Sequence, residues 1–253
     1  MRITQDMNTR MLSSALRQHQ TSIYNYQQQI SSGLQVSKPS DDPGAYGLIR
    51  SLKCDLAKLE QYSRNANMAL NYHQAVNQSI NQAVNIMHRV NELAISGGDA
   101  TFDDVLRGTI AEEINAMLES LIGVANGSED GRYLFAGLRT DAAPYETVVD
   151  AEGMITAVNY VGSTETRNIK TGENLYVATN LPGSTDTSEG GVFQTATRDV
   201  FDAIIQLRDK LAAGEDIAGT EIQSRLQGDL DHLLNQASLN GVREEQVRMH
   251  KNV

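Results

Sequence analysis

Behind Pro43, apolar positions recur at every seventh residue. Leu52, Leu59, Ala66, His73, Ile80, Met87 and Ala94 form one row, and Leu48, Tyr62, Ala69, Val76, Ala83 and Val90 form a second. A seven-residue period is the signature of a coiled-coil seam, and the second row widens the face enough for more than one neighbour. No glycine or proline interrupts the chain between Gly47 and Gly97. At 1.5 Å per residue such a helix would be roughly 70 Å long. Globular helices average about three turns, so the pattern predicts a rod, and rods usually build assemblies.

A shorter version of the same pattern precedes it. Leu16, Ile23 and Ile30 form one row and Leu12, His19 and Tyr26 another, with Thr4 placed to cap the helix and Asp6 in its first turn. The rest of this helix is polar, including Gln27, Gln28 and Gln29 in succession, so it is expected to need a partner helix for stability. Between the two patterns lies Ser31 to Pro43. Pro39 and Pro43 each push the preceding residue away from helical geometry, which suits Asp42 to the cap and Pro43 to the first helical position. The segment Pro39, Ser40, Asp41, Asp42, Pro43 therefore reads as a hinge with a helix start built in.

Gly97 and Gly98 end the long pattern, and Thr101 with Asp104 offers a new cap. Leu106, Ile110, Ile114, Met117, Leu121 and Val124 or Ala125 give a third helix, which Asn126-Gly127 stops. The period then changes. Short β-prone runs at Tyr133 to Ala136, Tyr145 to Val149, Met154 to Val161, Thr166 to Lys170 and Leu175 to Ala178 alternate with glycine turns. Leu181 to Gly191 reads as a flexible return. Helical spacing resumes at Val200, Ile204, Leu207 and Leu211, ends at Gly214, and restarts near Thr220 with Ile222, Leu226, Leu230, Leu233 and Ala237. Gly228 and Gly241 each weaken that last stripe by about 1 kcal/mol relative to alanine. The predicted fold is mainly α with a β insert: a long antiparallel helical-bundle or coiled-coil shaft carrying a small antiparallel β domain. Its expected parts are a terminal helix at 1–32, the first half of the shaft at 33–138, a β-rich domain at 139–192 and the second half of the shaft at 193–253.

Charge and composition narrow the function classes. The formal net charge is −11, Trp is absent and aromatics reach 5%, so helix seams rather than a large globular core do the burying. A phosphate-binding partner needs a positive footprint, and none appears; neither nucleic acid nor an anionic membrane is expected. The start shows no apolar run with a cleavage site, and no stretch offers 18 consecutive apolar residues. Cys54 is the single cysteine, which excludes an intramolecular disulfide. There is no phosphate-cradling loop, no His-Glu-x-x-His, no paired-cysteine motif and no Gly-x-Ser-x-Gly. His88 and Glu92 lie one helical turn apart but supply too few ligands for zinc, and Asp41 and Asp42 are accounted for by the helix start. No catalysis and no cofactor are expected.

Several motifs carry a resemblance. The opening Met-Arg-Ile-Thr, Ser31-Ser32-Gly33, the Pro39 to Pro43 segment, Glu60-Gln61-Tyr62 with Asn65, Ala125-Asn126, Gly131-Arg132-Tyr133-Leu134-Phe135-Ala136-Gly137, Thr140 and Ala143-Pro144-Tyr145 together resemble the hook-associated protein 3 family of the flagellin superfamily. True flagellins are similar around Ser31 to Asp42 but usually lack the Pro-Ser-Asp-Asp-Pro form and the Gly131 to Gly137 segment. The resemblance implies a structural subunit at the hook–filament junction of the bacterial flagellum, not an enzyme. Such subunits are secreted without a cleaved signal through the flagellar type III apparatus. The implied partners are further copies in a helical ring, hook-associated protein 1, flagellin and a flagellar export chaperone. Ile3, Met7, Leu12, Leu16, Ile23, Tyr26 and Ile30 would line an inner coiled coil, while Tyr133 and Phe135, within the Gly131, Arg132 and Gly137 motif, would pin a hairpin to the shaft. Family members continue past the position matching Val253 with a further helix that pairs with the first. The alternatives are a flagellin-type filament subunit and, from another class, a helical signalling or adhesin-like binding module.

Overall fold

The computed structural model describes residues 5–98, 104–151, 153–187, 190–215, 217 and 221–251. The expected caps Thr4 and Thr101, the expected helix restart at Thr220 and the assembly residue Ile3 lie outside the described residues. The chain divides into two compact units, Met1–Glu60 and Gln61–Val253.

The first unit holds helix α1, Gln5–Ser32, and the start of helix α2, Pro43–Gly97. Gly33, at φ 69°, ends α1 in the left-handed conformation that glycine adopts without a Cβ penalty, its N–H donating to the Gln29 carbonyl at 2.8 Å. The connector is organised by two carboxylates. Asp41 Oδ2 accepts from the backbone N–H groups of Ser37 at 3.1 Å and Lys38 at 3.0 Å and from the Ser37 hydroxyl at 3.2 Å. Asp42 Oδ1 accepts from the N–H groups of Gly44 and Ala45, both at 3.0 Å, which caps α2.

The second unit contains the core. From Ala66 onward both rows of α2 turn inward: Ala66, Ala69, His73, Val76, Ile80, Ala83, Met87, Val90 and Ala94 are all buried. Helix α3, Asp104–Ala125, packs on helix α4, Val200–Ala212, and α4 on helix α5, Glu221–Lys251. Ile114, Leu118 and Leu121 of α3 meet Val200, Ile204, Leu207 and Leu211 of α4 and Leu226, Leu230 and Leu233 of α5 in one continuous core. Asp199 caps α4, accepting from the N–H groups of Phe201 and Asp202. Arg198 crosses α5 at Gly228, its guanidinium 2.6 Å from where a Cβ would stand.

The β insert is not one sheet. Among the described residues it consists of four separate two-stranded antiparallel ladders: β1 Ser128–Glu129 with β2 Arg132–Tyr133, β3 Tyr145–Val149 with β4 Ile155–Tyr160, β5 Asn168–Lys170 with β6 Tyr176–Ala178, and β7 Gln194–Thr195 with β8 Arg198–Asp199. Of the run expected at Tyr133 to Ala136, Tyr133 belongs to β2 and Ala136 forms an isolated antiparallel bridge with Pro182, while Leu134, Phe135 and Ala136 are buried in the core. The β7–β8 hairpin lies between the expected flexible return, which ends at Gly191, and the helix entry at Val200. Two-residue strands carry no alternation from which they could be read.

Candidate assembly surface

α1 exposes its apolar rows. Met7, Leu12, Leu16, Ile23 and Tyr26 are all exposed, and Ile30 reaches 82%. The same holds at the start of α2, where Leu48, Leu52, Leu56 and Leu59 stand out from the surface. One seven-residue row thus changes character along its length: Leu52 is 59% and Leu59 63% exposed, whereas Ala66 is 1% exposed. The seam is therefore core from Ala66 onward and open to water at Leu52 and Leu59. Periodicity shows that a face is apolar but not what covers it. The one available cue is side-chain size: large leucines fill the exposed third, and alanines at Ala66, Ala69, Ala83 and Ala94 mark where other elements approach closely.

The hinge residues Pro39, Ser40, Asp41, Asp42 and Pro43 are exposed as well. The backbone N–H groups of Ser37 and then Lys38 hold the Asp41 carboxyl below the usual carboxylate range. Below its folded pKa the turn at Ser37 loses its acceptor, so this contribution is present above the ordinary value of 3.8 and lost as pH falls through the depressed one.

The Gly131 to Gly137 motif forms a connection from β1–β2 into the core. Gly131 and Gly137 have φ of 73° and 65°, and a Cβ at Gly137 would collide with the Ser163 carbonyl oxygen, so only glycine fits there. Phe135 is fully buried, its ring edge-on to Phe193 at 5.1 Å. Tyr133 and Arg132 instead line an open cleft of about 370 Å³ with Met68, Tyr72 and Arg167. Tyr72 fixes both sides of the connection: its hydroxyl donates to the Leu134 carbonyl at 2.9 Å and accepts from the Leu181 N–H at 2.6 Å. Burial pushes its phenol far above the ordinary range, so it remains a neutral donor. Pattern reasoning missed Tyr72, because a tyrosine next to a seam position has no sequence mark of a bridging role.

Among the described residues no group of three or more His, Cys, Asp or Glu side chains is placed to hold a metal ion, and no helix is long and apolar enough to cross a membrane. What the surface offers is apolar helical rows.

Residues 3–140, more than half of the chain, match the family model of the bacterial flagellin N-terminal helical region. The chain belongs to the flagellin family. It is 28% identical over 147 residues to the flagellar hook-associated protein 3 of Salmonella typhimurium, covering 58% of this chain and 46% of that protein. It is 29% identical over 103 residues to the flagellar filament 41 kDa core protein of Borreliella burgdorferi, covering 41% of this chain and 31% of that protein. The chain therefore spans less than half the length of these two relatives. Among solved structures, the flagellar hook-associated protein-3 of Legionella pneumophila superposes with a TM-score of 0.68 at 16% identity, covering 81% of this chain and 94% of that one. FlgL of Bacillus cereus gives 0.63 at 17% identity, covering 82% and 94%. At these identities the likeness concerns the fold: a flagellin-family helical body with small antiparallel ladders.

Proposed function

We propose that this flagellin-family protein is a structural subunit of the bacterial flagellum acting as the adaptor at the hook–filament junction, joining hook-associated protein 1 to flagellin. The observation that carries the reading is the exposed seven-residue pattern on α1 and on α2 up to Leu59, continuous in sequence with a row that is buried from Ala66 onward. An apolar row of this length left in water is unfavourable for a monomer and suits a subunit that buries it only on assembly. The partners on this reading are further copies in a helical ring, hook-associated protein 1, flagellin and, before export, a chaperone that shields the same rows. The working location is the extracellular flagellum, and no catalytic activity is part of the role.

A filament-subunit role is the second reading, favoured by the match to the Borreliella filament protein. Deleting the full-length gene separates the two. A junction adaptor leaves hooks without attached filaments and flagellin lost to the medium. If filaments remain attached, or if this chain itself is the bulk protein of purified filaments, the adaptor assignment fails.

A further inference from the structure

His73 occupies a seam position of α2 where its neighbours in the row are Ala66 and Ile80, and it is completely buried. Its two ring nitrogens both face oxygens: Nδ1 lies 2.6 Å from Asn240 Oδ1 of α5, and Nε2 lies 3.0 Å from the Ala178 carbonyl of β6. The orientation of these amides is fixed from outside. Asn77 Nδ2 donates to Glu244 Oε2 at 3.0 Å, so Asn77 turns its oxygen to Asn240. Asn240 Nδ2 in turn donates to Asn77 Oδ1 and to the His73 carbonyl, both at 2.8 Å, which leaves Oδ1 as the atom facing the ring. Both ring nitrogens therefore meet atoms that only accept, while a neutral imidazole carries one N–H.

A proton would complete both bonds, but it would place a cation in a small satellite core built from Ala66, Ala69, Val177 and Val247. Among the described residues no carboxylate hydrogen-bonds the ring: Glu244 lies beyond the two amides, where its charge favours the imidazolium only weakly against burial, and it is already shared with Arg248 at 2.7 Å. Of the other groups facing it, Arg243 of α5 opposes the charge, and Tyr72 lies edge-on at 5.5 Å. From the β5–β6 side, Lys170 lies over the Tyr62 ring, 5.7 Å from its centroid, and Thr171 Oγ1 is 3.0 Å from His250 Nδ1. Desolvating a cation costs more than one additional hydrogen bond returns, and burial accordingly pushes His73 below the ordinary histidine range.

We infer that His73 is an acid-operated release for the junction where α5 and the β5–β6 hairpin meet α2: the neutral ring lets the three elements close, and a proton taken up there opens them while the main core holds. Opening returns the ring to water, where its ordinary value is 6.5, above that of the closed form. Protons therefore bind the open form more tightly, and stability at the junction is full above that value and lost as pH falls below it. The inference does not depend on the flagellar role.

The test is NMR on the full chain between pH 4.5 and 8. Ring nitrogen shifts are followed for His73 and His250 separately, with hydrogen exchange at Val177 and Val247 referred to Ile204 and Leu207 of α4. The expected result is a neutral His73 at pH 7. Protection at Val177 and Val247 should then fall by up to about tenfold per pH unit below pH 6.5, while the α4 amides hold. His73→Gln should abolish that pH dependence. If the Gln variant does not fold, the wild-type ring titration and exchange still decide. An imidazolium already present at pH 7, or junction protection that is flat or rises with acid, overturns the inference.

Discussion

Single side chains decide how the β-rich part is held to the helices, and Phe135 is the first of them. It meets Phe193, which itself lies against Tyr145 and Phe201, with ring centroids between 5.0 and 5.9 Å apart around this group. Truncating a fully buried ring removes its transfer energy and leaves a cavity, so Phe135→Ala should destabilise the second unit by about 3–5 kcal/mol. Tyr133→Ala, two residues away but partly exposed on the cleft, should cost about 1 kcal/mol or less. Urea denaturation followed at α4 checks both, and equal losses would contradict the division of roles. Tyr133 and Phe135 look equivalent in the sequence, since both are aromatic residues of one short β-prone run. Their difference arises because the β1–β2 ladder ends at Tyr133 and the chain turns inward at Leu134, which is a tertiary event. His73 is a parallel case: a seven-residue row reveals its position, but the two acceptors that meet its ring come from residues more than a hundred positions away.

Helices long enough to express a period were readable, and short ladders were not. α2 begins at Pro43 and ends at Gly97, where the proline, the Asp42 cap and the Gly97-Gly98 pair place it. β3 spans Tyr145–Val149 and pairs along its length with β4, so it carried a recognisable β-prone run. β7 and β8 have two residues each, too few to show alternation. Within α2 the readable feature was the row, and the unreadable one was its change from exposed to buried between Leu59 and Ala66. A variant pair tests that change. Leu52→Asp and Leu59→Asp sit in water and should leave the melting temperature of the second unit within about 1 °C. On the junction-adaptor reading, they should abolish filament attachment in cells by placing charge on an apolar assembly face. Ala69→Asp, completely buried, should prevent folding. Loss of melting stability in Leu52→Asp would mean that this stretch is covered within the chain itself.

At the scale of the molecule, stability is divided unequally between the two compact units. The second unit buries Phe, Ile, Leu and Val side chains from α2, α3, α4, α5 and the ladders in one core. In Met1–Glu60 the large apolar residues with a described burial, from Met7 to Leu59, are largely exposed. Helix propensity alone holds a polar helix weakly, and local opening is inexpensive where few apolar contacts are lost. A protease of broad specificity should therefore cut first within residues 1–60, at the Gln35 to Asp42 connector and along α1. It should leave a resistant fragment that begins near Gln61 and retains the α4 core. Mass spectrometry of an early time course gives the boundaries. Uniform cleavage across both units, or protection of α1 equal to that of α4, would show that the exposed rows are not the weak part of the chain. Addition of a partner that covers them, with hook-associated protein 1 and flagellin as the candidates to try, should slow the first cuts and leave those in the second unit unchanged, because binding stabilises only the segment whose apolar face it buries.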